Sequence, residues 1–239
     1  MSVMMSYFGV EPWPRTLEKN DVETHKNVLI QQALAARDSH SQLVSRTLAR
    51  GALYWERWLL AEDFDRWEQE HVISGLELAR DAGDWKEAEL LLAQCEGSRR
   101  LALAPFVSTW RDIVRDNLPQ QVKNEQHLEI AFQRFHNAKT IEDQTARTQL
   151  ARELMGEAKE IGEVGSPVAV NNLLARISAS LGWEEEAEQY YTALVVCRPL
   201  WIPYIVQLSE HQAKVDVKRA FHTIEVAKTM LGKDFWLVT

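Results

Sequence analysis

Apolar residues recur every three or four positions along most of the chain, the spacing that places them on one face of an α-helix. The pattern is clearest over residues 167–181, where a single stripe is formed by Val170, Leu173, Leu174, Ile177 and Leu181. No convincing stretch alternates apolar and polar residues at every second position, as a half-buried strand does. The pattern therefore predicts an all-α protein without a sheet.

Proline and glycine divide this pattern into ten or eleven helices. No proline occurs between Arg15 and Ala104, and several of the others stand where a helix can begin, since that position needs no N–H. We expect Asn117–Pro119 to interrupt a helix. The segment from Gly162 to Pro167 is the most loop-like stretch and predicts a boundary or hinge. The expected organisation is an irregular arm over residues 1–15, a helical region over 16–164 and helix pairs over 165–239.

Individual helix ends can also be predicted. Asn20 and Asp84 each precede a Glu by three residues, the spacing of a capping box, so we expect each to cap a helix. Gly83 and Gly182 are expected to end helices. Asp216 is expected to cap the last one, and the apolar tail after Gly232 to dock on it.

Three segments repeat one arrangement of small and bulky residues. At positions 0, +4 and +7 of a helix face stand Ala88, Leu92 and Cys95; Ala187, Tyr191 and Leu194; and Ala220, Ile224 and Ala227. Small residues let two helix backbones approach closely. A helix pair with one apolar face per helix must stack on its neighbours to bury those faces, as in a solenoid.

On these residues the chain resembles the tetratricopeptide repeat in a degenerate form. The positions that match its Leu and small residue, Gly turn, Ala, aromatic and closing Pro are Leu174, Ala175, Gly182, Ala187, Tyr191 and Pro199. The resemblance covers residues 165–232 and, more weakly, 70–96, where Gly83–Ala88 matches the turn. Asn171, Ser178 and Leu194 depart from the usual residues of the family.

The resemblance implies a right-handed α-α superhelix of antiparallel helices, with a concave groove lined by the first helix of each pair. In that arrangement the groove residues would be Asn172, Arg176, Glu77, Arg80 and Glu210. An Asn amide can bond a peptide backbone, and an Arg guanidinium can bind a carboxylate. The plainer interpretation of each is an ordinary surface residue.

A catalytic or metal site is not expected. Glu68 and His71 form one Glu-x-x-His pair, the spacing that di-iron helical bundles use twice. One copy is weak support for a metal. The sequence contains no His-Glu-x-x-His, no Gly-x-Ser-x-Gly and no phosphate-binding glycine loop. We expect no cofactor.

Net charge and the distribution of apolar residues limit the classes of partner and the compartment that we expect. The formal net charge of −8 and a pI of about 5.4 disfavour nucleic acid and anionic membrane. The sequence contains no run of about 18 apolar residues, so we expect no membrane span. The start of the chain lacks the basic residues of a signal peptide. Cys95 and Cys197 form no metal-binding pair and are expected to be buried in a reduced compartment. We therefore expect a cytoplasmic protein.

A cluster of tryptophans, Trp55, Trp58 and Trp67, has two interpretations. It is either core between stacked helices, or a ligand groove or subunit interface that would let the chain form a homo-oligomer.

The expected function is that of a non-catalytic protein–protein interaction module: an adaptor, chaperone or assembly factor that binds a peptide or partner helix. Two alternatives remain open at this stage. One is a structural subunit of a permanent complex, and the other is a helical enzyme or small-ligand binder with a pocket between helices.

Overall fold

The computed structural model describes residues 18–62, 69–97, 105–138 and 144–231. Over these residues the protein is all-α and contains no strand. The helices are α1 Lys19–Asp38, α2 Gln42–Glu62, α3 Gln69–Ala82, α4 Trp85–Gly97, α5 Pro105–Asn137, α6 Gln144–Gly162, α7 Pro167–Leu181, α8 Glu184–Cys197, α9 Ile202–Val215 and α10 Val217–Leu231. The predicted N-terminal arm, Glu68, Trp67 and the C-terminal tail lie outside the described residues.

The glycine turns follow the sequence prediction. Gly83 and Gly182 have φ angles of 67° and 73°, in the left-handed region that glycine adopts without a Cβ penalty. The next helices begin within two residues of these glycines. Asp84 Oδ1 accepts a long hydrogen bond of 3.4 Å from the Glu87 amide, and Asp216 Oδ1 accepts one of 2.9 Å from the Lys218 amide. Both predicted aspartate caps are present.

The predicted cap at Asn20 is wrong. Helix α1 begins at Lys19, with Glu18 in extended conformation before it, so Asn20 is already helical. Its carbonyl oxygen accepts a hydrogen bond from the Thr24 hydroxyl one turn later, at 2.8 Å. An N-cap residue precedes the first helical residue in non-helical conformation, and that position is occupied by Glu18.

The predicted break at Asn117–Pro119 is also wrong, because α5 continues through Pro119. Proline removes the N–H that would bond the carbonyl of Arg115 four residues earlier. Residues 115–117, 119 and 120 are exposed, so water can reach the freed carbonyl. Asn117 Nδ2 also donates to the Ile113 carbonyl at 2.8 Å, adding a bond in this turn. The cost of the proline is therefore reduced on this solvent-facing side.

Helix α2 contacts helices beyond the two that adjoin it in sequence. It packs against α1 and α3, and also against α6, α7 and α8. Asn171 Nδ2 donates to Thr47 Oγ1 at 3.0 Å, and the Cys197 thiol lies 3.8 Å from the Thr47 carbonyl oxygen. A helix in an open solenoid contacts only adjacent repeats. In this protein the hairpin α1–α2, called the N-terminal hairpin below, instead packs against the hairpin α7–α8.

Two large apolar clusters form the core. One joins α2, α3 and α4 to the first half of α5, and the other joins the second half of α5 to α6 and α7. A third cluster holds Trp55 and Trp58, which are 3% and 1% exposed, with Tyr54 and Leu200. These two tryptophans are therefore buried in the core.

A buried charge network ties α2 to the turn between α3 and α4. Arg50 Nε donates to Asp84 Oδ2 at 2.8 Å, and the same guanidinium lies 3.4 Å from Glu87, which also pairs with Arg57. Arg50 is 1% exposed. Removing one partner of such a pair leaves an uncompensated buried charge, which costs about 3–5 kcal/mol.

No helix in the described part of the chain is long and apolar enough to span a bilayer.

Gly51 of α2 lies directly against the backbone of α8. A Cβ built on Gly51 would lie 2.5 Å from the Val196 carbonyl oxygen. We predict that Gly51→Ala lowers the free energy of unfolding by about 1–3 kcal/mol, because the two helices must move apart. Urea unfolding followed by circular dichroism measures the change.

Gly156 in α6 provides the matched control, since a Cβ there meets nothing within 4 Å. Gly156→Ala should raise the free energy of unfolding by up to about 1 kcal/mol through helix propensity. Equal stability of Gly51→Ala and the wild type would contradict the close packing of α2 on α8.

Both cysteine thiols are free and fully buried. Burial raises the pKa of Cys95 to about 11 and that of Cys197 to about 12. At pH 8 only about one in a thousand Cys95 thiols is therefore a thiolate, the reactive form. We predict that Ellman's reagent finds no fast-reacting thiol in the native protein and two after unfolding in guanidinium; a rapid native reaction would contradict this burial.

Candidate functional site

An apolar groove opens between α1, α8 and α10, with α2 and α9 beneath it. Its volume is about 440 Å³. The residues that line it, called the apolar groove below, are His25, Val28, Leu29, Trp55, Thr192, Val195, Val196, Pro199, Ile205, Leu208, His222, Thr223, Val226, Ala227 and Met230. On α1 and α8 they recur at three- and four-residue spacing, so each helix presents one face to the groove.

The walls of the groove are exposed apolar side chains. Val28 of α1 is 48% exposed and Val226 of α10 is 43% exposed. Trp55 of α2, only 3% exposed, lies against the α1 wall, where its ring stacks on that of His25 at a centroid distance of 6.1 Å. Tyr54 meets the same indole edge-on at 5.2 Å. These contacts hold the Trp55 ring in place at the base of the groove.

Buried hydrogen bonds position the α1 wall. Lys26 Nζ lies 2.5 Å from Glu56 Oε2, and His71 Nδ1 lies 2.8 Å from Glu56 Oε1. The Glu56 side chain is completely buried. Its two oxygens therefore join α1, α2 and α3, and the α1 residues next to Lys26 are fixed against α2. This contact also gives His71 a structural partner other than Glu68.

The described lining of the groove is dominated by apolar side chains. Apart from two histidines and two threonines, its described lining residues are apolar, and none is a carboxylate, Lys, Arg, Ser or Cys. Catalytic sites usually bring several titratable groups together with a nucleophile or an acid–base pair. The dominant physical property here is apolar surface that water wets at a cost of roughly 25 cal/mol per Å².

The five residues predicted from the sequence lie elsewhere, in two groups. Arg176 of α7 and Glu210 of α9 both lie close enough to Tyr191 to influence its phenol, whose pKa is raised mainly by burial. Arg176 opposes that rise, and Glu210 adds to it. The Arg176 guanidinium carbon stacks 3.4 Å from the centre of the Phe132 ring, and Asn172 is half-buried one turn earlier on α7.

The second group is on α3. Glu77 and Arg80 are exposed there. Arg80 Nε donates to Asp81 Oδ1 at 3.2 Å, and its guanidinium carbon lies 5.9 Å from the Trp110 ring. None of the five predicted residues lines the apolar groove, so the structure does not gather them around it.

The groove itself was missed by the sequence analysis, and a partial signal for it exists. On α10, His222, Val226 and Met230 form a second stripe at four-residue spacing beside the core stripe of Ala220 and Ala227. A second, largely apolar stripe on one helix indicates a second buried or bound surface. The α1 side has no comparable signal, since Val28 and Leu29 look like ordinary core residues.

Comparison of the chain with protein-family models, with curated proteins and with solved structures finds no match.

Proposed function

We propose that this protein is a non-catalytic protein-interaction module, acting as an adaptor, chaperone or assembly factor, and that it binds an amphipathic helix of a partner in the apolar groove. One observation carries the proposal: Val28 and Val226 expose apolar surface from opposite walls of a groove with Trp55 at its base. Exposed apolar surface of this kind is typical of interaction sites.

The shape and chemistry of the groove favour a helix as occupant. Its walls are helices, and its length follows α10 from His222 to Met230, just over two helical turns. Helix-in-groove recognition inserts apolar side chains at positions i, i+3, i+4 and i+7 of the bound helix. The absence of ionisable groups other than histidine from the described lining favours apolar anchors over a charged ligand.

The superhelical repeat architecture remains part of this proposal. Its support is local: α7 and α8 form a hairpin across Gly182 and Trp183, α9 and α10 form another across Asp216, and α8 packs on α9. The contacts of α2 with α6, α7 and α8 add a feature that nearest-neighbour stacking lacks. The proposed groove also uses α8 and α10, the second helices of their pairs, together with α1.

The cytoplasm remains the proposed compartment. The two cysteines are both free thiols buried in the core, a state that fits a reducing environment.

A structural subunit of a permanent complex is the second candidate. Val215, Val217 and Phe221, at the α9–α10 turn and on α10, are 66%, 56% and 63% exposed. Apolar residues at the end of a helical stack are ordinarily covered by a further repeat or subunit. This function would use the end surface rather than the groove, and the purified chain would self-associate.

The groove is tested by placing a charge on it. We predict that Val28→Asp and Val226→Asp each weaken binding of the partner at least about tenfold, because the carboxylate must be desolvated when an apolar side chain docks. The wild type serves as bait in the source cell, the captured proteins are identified by mass spectrometry, and the purified partner is then titrated calorimetrically against each variant.

Two controls make the result specific. Val164→Asp places the same charge on a 64% exposed valine outside the groove, and it should bind like the wild type. Arg176→Gln and Glu210→Gln change the surface predicted from the sequence. Loss of binding in these two variants, with full binding by Val28→Asp and Val226→Asp, would overturn the groove proposal.

A further inference from the structure

A second, polar cleft lies where α1, α2 and α3 meet, and it shares no lining residue with the apolar groove. Its volume is about 180 Å³, roughly that of six water molecules at ~30 Å³ each. Each of the three helices contributes one arginine, namely Arg37, Arg46 and Arg80, and α3 also contributes Asp81. These four residues define the arginine cleft.

The charges of the cleft do not balance. It contains three guanidinium groups and one carboxylate in a chain whose formal net charge is −8. Asp81 Oδ1 is already bonded by Arg80 Nε at 3.2 Å. Within the described part of the chain, neither Arg37 nor Arg46 forms an ion pair. The excess of two positive charges matches the charge of a phosphoryl dianion.

Arg46 shows the imbalance most directly. Its Nε and Nη1 atoms are buried, and neither has a hydrogen-bond partner among the described residues. The turn at Gly83 passes so close to Nη1 that a Cβ there would collide with the guanidinium. Burial lowers the pKa of Arg46, and Asp81 counters this only in part. Arg46 is half-buried, and a partly desolvated cation with too little opposing charge is costly, a cost that a bound anion would offset.

The start of α2 adds to the positive potential. Gln42 is the first residue of α2 and lines the cleft one turn before Arg46. The first amides of a helix have no acceptor within the helix, and the helix dipole is positive at this end. The Ser45 hydroxyl is already used, since it donates to the Ala33 carbonyl at 2.8 Å. The remaining donors are therefore guanidinium groups, the Gln42 side chain and the helix start.

We propose that the arginine cleft binds a phosphoryl group, either as inorganic phosphate or as a small phosphate ester. Guanidinium groups present paired N–H donors that fit phosphate oxygens, and three of them from three helices can contact one dianion from different sides. Binding at this junction ties α1, α2 and α3 together. The bound anion stabilises the N-terminal hairpin, the same hairpin whose α1 forms a wall of the apolar groove.

The test measures binding of inorganic phosphate and of glycerol phosphate to the full chain by calorimetry and by thermal unfolding, with sodium chloride at matched ionic strength as reference. We expect saturable one-to-one binding of at least one of the two. A concentration tenfold above Kd should raise Tm by about 3–6 °C. Tighter binding of glycerol phosphate would identify an ester as the ligand, and tighter binding of phosphate would identify the free anion.

Substitutions of single arginines test whether phosphate binds in the arginine cleft. Arg46→Met and Arg37→Gln should each lose at least about tenfold in phosphate affinity. Arg37 is exposed, so its replacement leaves the fold intact even if Arg46→Met does not fold. Arg115→Gln changes an arginine on α5 that is 69% exposed and should bind like the wild type. Absence of saturable binding, or an equal rise of Tm in Arg37→Gln and the wild type, would overturn the proposal, because phosphate also stabilises proteins non-specifically.

Discussion

The close packing of α2 on α8 is the constraint on which the rest of the structure depends. Gly51 allows the backbone of α2 to approach the carbonyl oxygen of Val196, and any side chain there would push the helices apart. On the same side of α2, Thr47 bonds Asn171 of α7 and lies near the Cys197 thiol. These contacts join residues that are more than a hundred positions apart in sequence. Through them the hairpin α1–α2 packs against α7 and α8, which lie far from it in sequence.

The proposed binding surfaces are consequences of this packing. Once α2 is fixed on α8, α1 lies opposite α10, and the space between them is the apolar groove with Trp55 at its base. On another side of the same hairpin, α1, α2 and α3 bring three arginines together. The two sites differ in chemistry, one apolar and one cationic, yet α1 and α2 contribute to both. Interactions that fix this hairpin therefore influence both surfaces.

Several helix ends were predicted well from local sequence, although the cap at Asn20 was not. Gly83, Gly182 and Asp216 act through their own backbone conformation or a side chain two or three residues away, so a short window of sequence is sufficient. Pro119 could not be judged in this way, since the cost of a proline in a helix depends on whether water reaches the freed carbonyl. That is a property of how α5 faces the rest of the protein. Val217 and Phe221 show the same limit, because they are apolar residues four positions apart on α10 and are nevertheless exposed.

The candidate sites could not be assembled from the sequence for a related reason, although α10 carries a partial signal for the groove. The groove takes residues from five helices between His25 and Met230, and no repeat or motif connects them. Arg80 was singled out on its own, whereas Arg37 and Arg46 join it only through the packing of three helices.

Site-specific photocrosslinking in the source cell tests the groove most directly, with a photoreactive amino acid at Val226 and, in separate strains, at Arg176 and Val164. If a partner docks in the groove, it is crosslinked at Val226 and at neither of the other positions. Crosslinking of that partner at Arg176 without crosslinking at Val226 would contradict docking in the groove.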